Sequence, residues 1–101
     1  MKKLFISQPM CGRTDEEIIE ERRRAIKEVE VLLKEPVEEL ETFFDDFGPG
    51  TKPLEYIARS IEFMAKADIV YFAKGWEEAR GCKIEYQCAT EYGLTIINPQ
   101  K

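Results

Sequence analysis

Histidine is absent from the sequence. That removes the usual base of Ser–His and Cys–His nucleophile pairs, so acid–base work falls to carboxylates, tyrosine, cysteine or lysine. Cysteine is scarce: Cys11, Cys82 and Cys88 are an odd number with no CxxC spacing. Without histidine partners they do not compose a zinc site of the usual kinds, and reduced thiols in a cytoplasmic protein are the simplest reading. No apolar run approaches the ~20 residues of a membrane span. The opening "MKKLFISQPM" has too short an apolar stretch, and no small-residue cleavage site, for a signal peptide. Positive charge is in deficit, with 15 Lys and Arg against 20 Asp and Glu for a net charge of -5. A general nucleic-acid binder needs a basic face for phosphates, so no nucleic-acid polymer and no membrane is expected as a partner. Arg22, Arg23 and Arg24 form one local basic cluster, read either as a small patch or as a solvated helix face. Internal repeats and low-complexity segments are also missing.

What is present is a chain of 101 residues, one domain over 1–101 by size, with an ordinary apolar share and a high charged one. "KLFIS" (3–7) is a buried strand halted by the loop "QPMCG". Thr14 with Glu17 forms a capping-box pattern, and Ile18, Ile19, Arg22, Ala25, Ile26, Val29, Leu32 and Leu33 keep a helical period that Pro36 ends. "VEELETFF" (37–44) alternates loosely and holds the second strand, and "DDFGPGTKP" (45–53) reads as loop. "LEYIARSIEFMAKA" (54–67) is an amphipathic helix, and "DIVYFA" (68–73) is a strand covered on both faces. After the loop "KGWEEARG" come a helix, "CKIEYQCATEY" (82–92), a C′ glycine, Gly93, and a closing strand, "LTIIN". The order β-α-β-α-β-α-β predicts an α/β fold: a small doubly wound parallel sheet of about four strands, Rossmann-like in kind. Ligands of such sheets sit beyond the carboxyl ends of the strands, so the loops after strands one and three should share one rim.

In the first of these loops, Gly12, Arg13 and a helix start offer backbone N–H groups, a dipole end and a guanidinium, which suits a phosphate. A turn glycine with a surface arginine explains the same residues. In the second, Gly81 opens a helix and Glu85 follows in its next turn, bordering an apolar stripe of Ile84, Cys88 and Ala89. A shielded carboxylate there can attack a sugar carbon or stabilise an oxocarbenium ion, although a helix-surface glutamate is the plainer reading. Trp76 either stacks on a base or lids the core. Glu77, Glu78 and Glu91 are assigned to solvent.

The run "ADIVYFAKGWEEARGCKIEYQCATEYGLTII" resembles the core of the nucleoside 2-deoxyribosyltransferase superfamily, in particular its short phage and bacterial branch. The resemblance rests on Gly75, Trp76, Ala79, Arg80, Gly81, Glu85, Ala89 and Gly93, and on "KLFISQPMCGRT" at the start. It implies a flavodoxin-like fold and a nucleoside or nucleotide ligand, with the sugar beside Glu85 and any 5′-phosphate near Gly12, Arg13 and Gly81. It further implies Glu85 as the nucleophile of a glycosyl-enzyme intermediate, resolved by water in a hydrolase or by a second base in a transferase. Phe5, Ser7, Pro9, Met10, Ser60, Trp76 and Arg80 would join the binding surface. No cofactor and no metal is implied, and a homo-oligomer, a dimer or larger, is.

The chain departs from that pattern at four positions. Phe5 stands where catalytic relatives carry a tyrosine that orients the glutamate, and Ser60 where they carry an aspartate. Ala79 replaces an aspartate of the transferases, and Gln8 replaces the glycine before the loop proline. Glycosidic cleavage also needs a proton for the leaving base. Tyr71, Tyr86 and Glu78 are the residues at hand. A binding or sensing module that keeps the pocket without turnover is the alternative expectation.

Overall fold

A computed structural model describes residues 1–42 and 50–98. Strand β1 (Lys2–Ser7) is followed by helix α1 (Asp15–Leu33), strand β2 (Val37–Glu39), helix α2 (Pro53–Met64) and strand β3 (Ile69–Phe72). A single 3-10 turn (Trp76–Glu78) then leads into helix α3 (Arg80–Glu91) and strand β4 (Thr95–Ile97). The second strand lies within the segment expected to hold it: pairing involves Val37–Glu39, while Phe43, Phe44 and the loop positions 45–49 lie outside the described residues. Helix α3 starts two residues earlier than its apolar period implied, because Arg80 and Gly81 already have helical bonding.

All four strands run parallel in the order β2-β1-β3-β4. The alternation of side chains along them sorts the core into two layers. Leu4, Ile6, Val37, Ile69 and Tyr71 face α1 and pack with Ala25 and Val29. Phe5, Leu40, Val70 and Phe72 face the opposite side and pack with Met64 of α2 and Ala89 of α3. The sheet is thus doubly wound and flavodoxin-like, with α1 on one face and α2 and α3 on the other. Fully burying side chains such as Phe5 and Phe72 stabilises the layer by about 1.5–3 kcal/mol each.

The local signals at the helix ends are realised in atoms. Thr14 Oγ1 accepts the Glu17 N–H at 3.1 Å, and Glu17 Oε1 accepts the Thr14 N–H at 2.8 Å, closing the capping box. At the end of α3, Gly93 is left-handed (φ 71°), Leu94 N–H reaches Ala89 O at 2.9 Å, and Gly93 N–H reaches Thr90 O at 3.3 Å. That is a Schellman closure, which turns the chain directly into β4.

Strand order fixes where a ligand fits. From β1 the chain leaves toward β2 by way of α1, and from β3 it leaves toward β4 by way of α3, on the other face. The carboxyl ends of β1 and β3, paired as far as Ser7 and Phe72, therefore open into a crevice between diverging connections.

Candidate functional site

Glu85 lies at the floor of that crevice. The inward row of α3 is Cys82, Glu85 and Ala89, so the carboxylate is part of the buried stripe and not at its border. Ile84, expected in the stripe, is 37 % exposed. Glu85 itself is only 6 % exposed. Ser7, which projects from β1 toward the α2–α3 side, donates its hydroxyl to Glu85 Oε1 at 2.6 Å. The Ser60 hydroxyl of α2 also favours the charged form of the same carboxyl group. Burial pushes the Glu85 carboxyl above its ordinary range, and the Ser7 and Ser60 hydroxyls oppose that rise. The neighbouring Cys82 thiol is pushed up to about 11 by burial, against a Ser7 hydrogen bond and with the Glu85 and Glu21 charges adding to the rise.

An open cleft of about 1590 Å³ surrounds this group. Phe5, Ser7, Pro9, Met10, Arg13, Ser60, Arg80, Gly81 and Glu85 all line it, so most residues singled out from sequence come together in space. Gly12 and Trp76 are not among its lining residues. Gly12 (φ 76°) occupies the left-handed position of a turn closed by Arg13 N–H to Met10 O at 3.2 Å, which only glycine adopts without strain. Trp76 stacks on Tyr86 (centroids 4.1 Å apart, 10° between planes) and tilts against Phe72, so the lid over the core is the role it fills.

Arg13 lines the cleft with its charge already engaged. Its Nη1 donates to Glu21 Oε1 at 2.7 Å and to Pro9 O at 2.8 Å. The expected phosphate cradle of Gly12 and Arg13 is thus a closed turn and a paired guanidinium. At the other lip, α3 begins without a side-chain cap at Ala79, leaving first-turn N–H groups beside the cleft-lining Arg80 and Gly81. A Cβ on Gly81 would lie 2.8 Å from Ile57 Cδ1, so this glycine also lets α2 and α3 approach closely at the cleft wall.

The three residues weighed as proton donors separate. Tyr71 faces α1, on the opposite side of the sheet from Glu85; it donates to Glu28 Oε2 at 3.3 Å and is pushed up to about 12 by burial and that carboxylate. Tyr86 is held in the Trp76 stack. Glu78, assigned to solvent from sequence, is exposed and lines the cleft.

Sequence reasoning missed a buried polar network beside the site. Arg22 is 4 % exposed, not part of a basic patch, and bonds Gln8, Glu39, Leu40 O and Thr42. The signal was present: Arg22 shares the helical row of Ile18, Ala25 and Val29. Arg23 instead pairs with Glu20 on the surface at 2.6 Å. Among the described residues no group of three or more Cys, Asp or Glu side chains is placed to hold a metal ion, and no helix is long and apolar enough to cross a membrane.

The model of the family described as "Domain of unknown function (DUF4406)" matches residues 2–98. No curated protein and no solved structure matches the chain.

Proposed function

The chain belongs to the DUF4406 family, and we propose that it binds a nucleoside or nucleotide in the β1–β3 crevice and acts on the N-glycosidic bond. The observation that carries this reading is the buried Glu85 carboxylate, held by the Ser7 hydroxyl at the floor of a cleft made by the first and third β-α loops. Carboxyl groups raised by burial in a cleft are candidates for acid–base and nucleophilic chemistry. In the forward step, a Glu85 oxygen bonds to the anomeric carbon as the carbon–nitrogen bond breaks. The electron pair leaves on the base nitrogen, which takes a proton. Of the other two carboxyls lining the cleft, Glu21 is paired with Arg13 while Glu78 at the rim has no ion-pair partner among the described residues, and we assign that proton to Glu78. Water, or a second base, then displaces the sugar from Glu85. A 5′-phosphate fits the uncapped first turn of α3, beside Arg80 and Gly81, better than the closed Gly12–Arg13 turn.

One observation favours a second reading, a binding or sensing module without turnover. The nucleophile must be ionised, and burial disfavours that form while only hydroxyls support it. Incubation with a panel of 2′-deoxynucleosides and their 5′-monophosphates separates the two. Release of free base by the wild type, abolished in Glu85→Ala, supports the enzyme. Saturable binding with no base released supports the module, and no binding by any member sinks both.

A further inference from the structure

Strand β2 pairs with β1 only as far as Leu4 and Glu39, with one further bond from Leu40 N–H to Leu4 O at 2.8 Å. Beyond it the contact between the two segments passes to a side chain, Thr42 Oγ1 donating to Ile6 O at 3.5 Å, while β1 runs on to Ser7 beside β3. Arg22 of α1 bonds both segments where the ladder ends. Its Nε donates to Glu39 Oε2 at 2.6 Å, and its Nη2 donates to Leu40 O at 3.1 Å and to Thr42 Oγ1 at 2.9 Å. Its Nη1 donates to Gln8 Oε1 at 2.8 Å. A planar fork of N–H donors can serve diverging acceptors at once, which a lysine ammonium at the end of a flexible stem does not reproduce. Gln8 in turn donates to Glu21 Oε1 at 2.8 Å, the same oxygen that accepts Arg13 Nη1.

We propose that Arg22 is a positioning residue of the ligand cleft, acting where the β1–β2 ladder has ended. It does not itself line the cleft; through Gln8 it fixes the backbone that aims Ser7 at Glu85, and through Glu21 it sets the pose of Arg13. This rests on the nucleoside or nucleotide reading above and adds to it the part that holds the site in shape.

The test compares Arg22→Lys with Val29→Ala, which opens a cavity in the α1-side core away from the cleft lining. Two readouts are taken: calorimetric binding of the four common 2′-deoxynucleoside 5′-monophosphates, and the Glu85 carboxyl titration by ¹³C NMR in ligand-free protein. Both variants should melt lower than the wild type. Arg22→Lys should weaken binding about tenfold or more and move the Glu85 titration upward as Ser7 loses its aim. Val29→Ala should leave both within about twofold, as expected for an uncoupled site. Equal behaviour of the two variants, or a wild-type titration in Arg22→Lys, overturns the proposal. Should Arg22→Lys fail to fold, Glu39→Ala, at a residue outside the cleft lining, removes the partner that anchors Arg22 and is read identically. If no probe binds the wild type, the nucleotide reading falls, while the titration still decides whether Arg22 governs the surroundings of Glu85.

Discussion

At Glu85 the carboxylate is withdrawn from water, and two serine hydroxyls return only part of the lost solvation. The folded-state value lies above the unfolded 4.5, so the folded protein binds this proton more tightly between the two. Stability therefore falls as pH rises from the unfolded value through the folded one, and the full penalty stands above it. Glu85→Gln keeps the shape without the charge. Its melting temperature should exceed that of the wild type at pH 7, and the advantage should vanish below about pH 4. A melting-temperature series against pH measures this. The cysteines differ for the same physical reason. Cys11 is exposed at the cleft, whereas Cys82 is buried with its thiol at about 11. Iodoacetamide at pH 8 should label Cys11 in the native protein and leave Cys82 until unfolding, as peptide mass mapping would show.

Helix α1 has one well-made end and one strained end. Removing the capping box by Thr14→Ala should lower stability by about 1 kcal/mol. At the other end Lys34 is left-handed (φ 58°), just before Pro36. Lys34→Gly should relieve about 1 kcal/mol of that strain, giving opposite shifts of the urea midpoint for the two substitutions. These ends were legible because caps are local: Thr14 with Glu17, and Gly93 after α3, announce themselves within a few residues. The strands were legible in position: "VEELETFF" does hold β2, and which of its residues pair, Val37–Glu39, depends on where β1 lies and not on the run itself. Glu85 was visible by resemblance and by its place in the third helix. Its partners Ser7 and Ser60 were named only as lining, because a hydrogen bond across 78 positions of chain leaves no periodic trace. Trp76 remained open between two roles until Tyr86 was found stacked on it.

Across the whole molecule, Arg22 is the side chain on which three segments converge: the end of β1, the end of β2 and α1. Truncating Arg22 leaves Gln8 Oε1, Leu40 O and Thr42 without their buried donor, at about 1–3 kcal/mol for each group left unsatisfied, while the partly exposed Glu39 keeps some water. Against a total of about 5–15 kcal/mol for a domain of this class, Arg22→Met should remove a large fraction of stability. Urea unfolding followed by the fluorescence of Trp76, the sole tryptophan, reports it. The two outermost strands, β2 and β4, have three residues each. A stray strand docking on either of these strands would find only a few rungs to grip. This chain should accordingly resist growing into ribbons at high concentration, and its shelf life should be limited by unfolding rather than by sheet-to-sheet accretion.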